Sequence, residues 1–272
     1  MTIQELAQRF HRAHRGPDVL RLANAWDAAS AKIIEAAGAE AIATTSAGVA
    51  WSLGAADGDE LDRDAAVAAV ARICAGVSVP VTADIETGYG EHPDEVAETI
   101  RQVVAAGAVG VNLEDGFGDG LRDLSEQVDR VVAARAGADD VGVDIYLNAR
   151  VDTYLRRIGE PEERFDMTIA RAAEYLSAGA SGIFVPGVDD PDEVTRLVHA
   201  IDGPLNILVE PGSPPISELA QAGVRRVSTG PAIPQAAYAV ADRAAREFFS
   251  DGSYGAVGDG WDFGRLNALW TR

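Results

Sequence analysis

The chain has 272 residues, of which 47% are hydrophobic, and a formal net charge of −20 at pH 7. That length and apolar content allow one full core of barrel size or two smaller ones, and the charge excludes nucleic acid or an anionic membrane as a partner held by simple electrostatics. A single cysteine, Cys74, rules out an internal disulfide framework and fits a reducing compartment. A single lysine, Lys32, sits in a helical pattern, which argues against Schiff-base chemistry on a carbonyl.

In chain order, MTIQELAQRFHRAHRG reads as an amphipathic helix without the apolar centre of a signal peptide, and no run of about 18 apolar residues follows it. A cytoplasmic protein with no membrane partner is the expectation. Short apolar runs then predict strands at Leu20 to Ala23, Ala41 to Thr44, Val79 to Ile85, Gly110 to Leu113, Ile145 to Ala149, Gly182 to Val185, Leu205 to Leu208 and Arg225 to Ser228. Helical patterns fall between and after them, at Ala28 to Ala37, Asp64 to Ala75, Pro93 to Ala106, Ser125 to Ala136, Glu162 to Ala178, Pro191 to Ala200, Ile216 to Ala222 and Pro234 to Phe249. Strands alternating with helices predict a parallel sheet covered by helices. An internal echo, AAGAEAI, AAGAVGV, SAGASGI and QAGVRRV, puts Gly38, Gly107, Gly179 and Gly223 at the same helix-to-strand joint. Glycine just past a helix C-terminus adopts the left-handed conformation at little cost. The repeat favours an α/β fold of the (β/α)8 TIM barrel type over residues 1–250, with a doubly wound open sheet as the alternative. Residues 251–272 form a C-terminal helical extension, an aromatic tail whose Trp261, Phe263 and Trp270 need a surface, such as a neighbouring subunit, to bury against.

In such a barrel the functional groups lie at the strand C-termini. Those positions carry Asn24, Trp26 and Asp27; Thr45, Ser46 and Gly48; Asp84 and Glu86; Glu114 and Asp115; Asn148, Arg150 and Asp152; Glu210; and Ser228 and Gly230. The strand interiors read as almost wholly apolar. The stretch VTADIETGYG, Val81 to Gly90, stands out: Asp84 and Glu86 are two apart and would face one way on a strand. Two such carboxylates repel unless a proton or a hard cation such as Mg2+ lies between them; ordinary solvated acids at a strand end are the simpler alternative.

Four motifs in order, TSAGVAWSLGAAD (Thr45 to Asp57), ADIETGYG (Ala83 to Gly90), GVNLED (Gly110 to Asp115) and NARVD (Asn148 to Asp152), resemble the isocitrate lyase / phosphoenolpyruvate mutase superfamily, and the likeness runs from about Leu20 to Phe249. The resemblance implies a modified barrel that binds Mg2+ and 2-oxo acids, assembled as a dimer or tetramer in which the last helix is exchanged with a neighbour. It implies Asp57, Asp84, Glu86 and Glu114 around the metal, and Ser46, Ala47 and Gly48 on the substrate carboxylate beside Asp84. Arg150 would hold the substrate's anionic oxygens, with Glu114 and Arg150 as catalytic groups. Metal-stabilised enolate chemistry needs such a set, and a planar, permanently charged fork suits a carboxylate or phosphonate.

Two departures qualify the likeness. Glu86 stands where the family shows aspartate, and the segment DGFGDGLRDLSEQ, Asp115 to Gln127, lacks the KKCGH-type loop whose cysteine is the lyase acid/base. His92 is the one histidine at the catalytic end and becomes the acid/base candidate, against its simpler reading as a helix-start residue. Arg122 and Asp123 read as solvated loop charges, His11, His14 and His199 as surface residues, and Cys74 as a small core residue. The expected function is a Mg2+-dependent lyase or phosphonomutase-like enzyme acting on a small 2-oxo acid or its phosphonate. A hydrolase of C–C or C–P bonds and a non-catalytic 2-oxo-acid-binding scaffold are the alternatives.

Overall fold

The computed structural model describes residues 1–271, so the expectation for the tail extends by one residue, Arg272, outside the described residues. The first strand comes in two pieces, β1 (Leu20–Leu22) and β2 (Asn24–Ala25). Round the sheet follow β3 (Ile42–Thr44), β4 (Val81–Asp84), β5 (Gly110–Glu114), β8 (Tyr146–Arg150), β9 (Gly182–Val185), β10 (Leu205–Leu208) and β11 (Arg226–Ser228), all paired in parallel. β1 pairs with β11 while β2 pairs with β3, so the two halves of one strand close the sheet on itself. The expected barrel is thereby formed. After β5 a small antiparallel hairpin, β6 (Gly116–Phe117) and β7 (Gly120–Leu121), stands apart from it.

Period-two alternation sends Val81, Ala83, Val111, Leu113, Leu147 and Ala149 outward into the apolar layer beneath the helices. That layer is covered by α2 (Ala28–Ala36), α4 (Arg63–Gly76), α5 (Pro93–Ala105), α6 (Leu124–Asp140), α7 (Pro161–Ser177), α8 (Pro191–Ala200) and α9 (Ile216–Ala222). The echoed joints behave as their sequence predicts: Gly38, Gly107, Gly179 and Gly223 have φ of 99, 106, 107 and 103°. α1 (Ile3–Arg15), started by a Thr2/Glu5 capping box, presents fully buried Phe10 to the barrel floor. A Cβ on Gly110 would come within 2.7 Å of that ring, so only glycine lets the plug seat.

Two expectations fail inside the barrel. The lumen is polar: Thr82, Asn112, Tyr146, Asn148, Asn206 and Arg226 are all buried. Asn112 Oδ1 accepts from Asn148 Nδ2 at 2.9 Å and from Arg226 Nη2 at 3.1 Å, and the second bond spans the lumen between strands that are not neighbours. His14 is buried as well, stacked on Tyr146 with centroids 3.6 Å apart, and burial pushes its pKa down to about 2. It is a neutral ring in the floor.

The last long helix, α10 (Ala232–Ser250), leaves the barrel wall: only Pro234 is buried, while Tyr238, Val240, Phe248 and Phe249 are exposed. Where an eighth covering helix would pack there is a groove of about 790 Å³ lined by Arg21, Ile33, Ile34, Ile216, Val227 and Ile233. The tail continues through a short 3-10 turn to α11 (Phe263–Ala268), with the Arg265 guanidinium 3.5 Å from the Trp261 ring centroid. No helix among the described residues is long and apolar enough to cross a membrane.

Candidate functional site

The motif after β3, which is not among the predicted helices, forms a helix, α3 (Ser46–Leu53). Its first intrahelical bond runs from Val49 N to Thr45 O. The Ser46 N–H donates to Asp84 Oδ2 at 3.4 Å, and those of Ala47 and Gly48 stay available at a helix N-terminus, a natural receptor for an anion. Gly48 is dictated by packing, because a Cβ there would lie 2.8 Å from Trp26 Cβ and 3.0 Å from Pro234 Cγ. Facing this turn, Asp84 ends β4. Its backbone N–H donates to Thr44 Oγ1 at 2.8 Å, its Oδ2 accepts from Ser46 Oγ at 3.2 Å, and its buried Oδ1 has no protein partner. Burial pushes Asp84 above the usual carboxylate range; Arg150 and the Ser46 donors oppose the rise, and Asp57 adds to it.

Asp84 and Glu86 do not face one way along a strand as expected, because β4 ends at Asp84 and Glu86 occupies a left-handed turn with φ of 51°. A non-glycine residue held there signals a position fixed by its surroundings. Those surroundings are explicit: Glu86 Oε2 accepts from the N–H groups of Gly58 (3.0 Å) and Asp59, and Oε1 from Tyr89 Oη at 3.2 Å. Its carbonyl also receives the Glu114 N–H at 2.9 Å, which ties the two acids through the backbone. Burial, helped by the charges of Asp59, Asp84 and Asp57, pushes Glu86 up to about 7 despite the Asp59 N–H. Folded Glu86 therefore keeps its proton up to about pH 7, against 4.5 for the ordinary group. Between those values the folded state binds the extra proton, so this group lowers stability as pH rises, by up to about 1.4 kcal/mol per pH unit. Thermal melts of the metal-free protein from pH 5 to 7 are expected to show a steeper decline for wild type than for Glu86→Gln; parallel profiles would refute this account.

Glu114 closes β5 and Arg150 closes β8, adjacent and in register, with Arg150 Nη1 2.5 Å from Glu114 Oε2. Burial pushes Glu114 up, against Arg150 and with Asp152 and Asp84. Burial opposes the charge of Arg150, but Glu114, Asp152 and Asp84 outweigh it and hold the guanidinium above its ordinary range. The NARVD spacing places fully buried Asp152 under Arg150, accepting from Nε at 2.6 Å and Nη2 at 3.1 Å. Asp115, also buried, accepts the Asp152 N–H at 2.9 Å, Tyr175 Oη at 2.8 Å and Arg171 Nη1 at 3.1 Å. Asp115 and Asp152 were expected at the strand ends but without a role, and Arg171 and Tyr175 carried no signal; the Arg150/Asp152 spacing was the available sign of one pairing.

Ser46, Asp84, Glu86, Glu114 and Arg150 thus meet at the strand C-termini, and Asp57, exposed on the loop after α3, acts on Asp84 and Glu86 by its charge. His92 is not brought in: it is the exposed N-cap of α5, its backbone N–H bonded to Glu95. Arg122 is buried against the Phe117 ring and paired with Glu126, Asp123 caps α6, and Lys32 pairs with Glu35 at 3.3 Å on α2. Cys74 is half-buried, its thiol pushed up to about 12 by burial. Among the described residues no three acids form a ready-made metal cluster. Each is instead held by protein donors, Glu86 by backbone amides, Glu114 by Arg150 and Asp84 by Ser46. The unpartnered Asp84 Oδ1 and an all-oxygen donor set nonetheless suit a hard cation.

The family model for phosphoenolpyruvate phosphomutase matches residues 10–249. The uncharacterized protein Rv1998c of Mycobacterium tuberculosis (strain ATCC 25618 / H37Rv) is 39% identical over 249 residues, 89% of each chain. The 2,3-dimethylmalate lyase of Eubacterium barkeri is 30% identical over 200 residues, 72% of this chain and 69% of the relative. A solved structure from Burkholderia cenocepacia J2315, assigned only provisionally as a lyase/mutase, is 36% identical with a TM-score of 0.92 over 99% of this chain and 97% of that one. The relatives of named activity include lyases and mutases of small acids, and the chain belongs to the phosphoenolpyruvate phosphomutase family, within the isocitrate lyase/phosphoenolpyruvate mutase superfamily.

Proposed function

We propose that the protein is a Mg2+-dependent lyase or phosphonomutase-like enzyme that acts on a small 2-oxo acid or its phosphonate. The observation that carries this reading is the meeting, at one barrel mouth, of the acids Asp84, Glu86 and Glu114 with the Arg150 guanidinium and the open N-terminus of α3. Asp84, Glu86, Glu114 and Asp57 would hold the cation, directly or through water, and the bound cation would supply stabilisation of negative charge developing on the 2-oxo group. The N–H groups of Ser46, Ala47 and Gly48 receive the substrate carboxylate. Arg150, aimed by Asp152, holds the second anionic group on the opposite side, so the bond to be broken lies between fixed points. Glu114, already at Arg150, is the candidate to move a proton there if it meets the cation through water. His92, exposed on α5, is no longer favoured for that task.

The test is a panel of oxaloacetate, phosphonopyruvate, 2-methylisocitrate and 2,3-dimethylmalate with Mg2+, followed by release or rearrangement of 2-oxo acid, alongside calorimetry with oxalate. Turnover of one member with Mg2+-dependent oxalate binding supports the enzyme. Oxalate binding without turnover across the panel would favour a binding scaffold, and no oxalate binding at all would sink the site.

Assembly belongs to the same proposal. The groove beside β1 and β11 and the exposed face of α10 on the same chain are complementary in kind, so a second copy's α10 is the proposed filling. Light scattering is expected to give a multiple of 28.5 kDa that Ile216→Glu, on the groove wall, reduces toward the monomer. A monomeric wild type would contradict it.

A further inference from the structure

Arg156 lies in the turn after β8 and does three things at once. Its Nε approaches Asp152 Oδ2 at 3.4 Å, the carboxylate that also grips Arg150; its Nη1 donates to Gly118 O at 2.6 Å, at the tip of the β6/β7 hairpin; and its guanidinium packs against Gly116. A Cβ on Gly116 would come within 2.4 Å of Nη2 and 2.7 Å of Cζ, so the hairpin accepts this arginine only because residue 116 is glycine. The far end of the hairpin is held separately, where Arg171 Nη2 donates to Arg122 O at 2.9 Å. Arg171 meets the same network through Asp115, whose Oδ1 holds the Asp152 backbone.

We propose that Arg156 is a positioning residue: it latches the hairpin after β5 to Asp152, so that the position of this loop and the aim of Arg150 form one unit. This rests on the reading of Arg150 as the anion-holding group. Asp152 has two oxygens and serves two guanidiniums. If Arg156 is lost, the Oδ2 side is held by Arg150 alone and the carboxylate can rotate about its Cα–Cβ bond, carrying the Nε/Nη2 edge of Arg150 with it. If Gly116 gains a side chain, Arg156 is displaced with the same result, although every charge is still present. The segment DGFGDGLRDLSEQ, which has no cysteine, lysine or histidine, then contributes to the reaction by holding Arg150 still rather than by supplying a proton.

The experiment compares wild type with Arg156→Met, Arg156→Lys and Gly116→Ala in three readouts. Amide hydrogen exchange over residues 116–121 reports the latch. The exchange rate of the Arg150 side-chain Nε–H, identified by its loss in Arg150→Gln, reports the aim and needs no ligand. Oxalate affinity with Mg2+ reports the consequence. Arg156→Met and Gly116→Ala are expected to speed both exchange processes and to weaken oxalate about tenfold, the scale on which partners behind a binding group act, while Arg156→Lys recovers part of the Nε–H protection. Faster exchange in the hairpin with an unchanged Arg150 Nε–H would make Arg156 a structural pin only and overturn the coupling. If wild type binds no oxalate while the Arg150 Nε–H still responds, the anion-site reading fails and the latch stands.

Discussion

In the Asp84→Ala protein, Mg2+-dependent oxalate binding is expected to fall by at least about a hundredfold, because a hard cation loses a buried carboxylate with one oxygen free of protein partners. Thr44 Oγ1 holds the Asp84 backbone N–H and Ser46 holds Oδ2, while Oδ1 stays free. Stability should move the opposite way. Burial disfavours the charge and Asp57 repels it, so the metal-free Asp84→Asn protein, which keeps the shape without the charge, is expected to melt no lower than wild type near pH 8. Calorimetry and melting on the same samples decide it. Unchanged oxalate binding refutes the metal assignment, and a large fall in melting temperature would mean that Asp84 is structural.

Arg150→Met should combine both kinds of loss. It takes the cation from buried Glu114 and leaves fully buried Asp152 only the more distant Arg156 guanidinium, which costs about 3–5 kcal/mol. It also removes the fork for the substrate's anionic group. Arg150→Lys keeps the charge, but one ammonium cannot cover both oxygens of Asp152 and reach Glu114 as well, so oxalate affinity should still drop by about a hundredfold. The double variant Arg150→Met/Asp152→Asn separates the effects: chemical denaturation should recover part of the lost stability while oxalate binding stays absent. Recovery of both would place the anion elsewhere.

The parts of the fold that were legible in the sequence are those encoded by local pattern. The eight strand segments fall within a few residues of the observed ones; Val79 to Ile85, for example, was cut to Val81–Asp84, where Ile85 turns away toward the left-handed Glu86. The four glycine joints were readable because one backbone conformation admits one residue type. Tertiary burial without local period was less legible. α3 was missing from the predicted helices, since TSAGVAWSL carries no amphipathic spacing and a glycine, and its first turn, Ser46 to Val49, is buried, with Gly48 against Trp26 and Pro234. His14 and Arg226 looked ordinary because charge and polarity in the lumen depend on which residues meet across the barrel. In the site, the residue types at the strand ends were right, but the partners that orient them, Asp115, Arg171 and Tyr175, come from strand and helix positions as many as 60 residues apart.

The seam of the barrel sets the order in which the chain can finish folding. β1 hydrogen-bonds to β11, about 200 residues later, and β2 takes the other side of the same strand against β3. Loop-closure entropy makes such a contact slow to form compared with the neighbouring βα units. During synthesis the N-terminal strand therefore waits with one edge unpaired until residues 226–228 arrive. Asn24 gains only then the Thr229 and Gly230 amides that its Oδ1 receives at 3.0 and 2.9 Å. Closure of the ring and completion of that end of the mouth are thus one late event, and the chain has to carry an open sheet edge for nearly its whole length before the binding face exists.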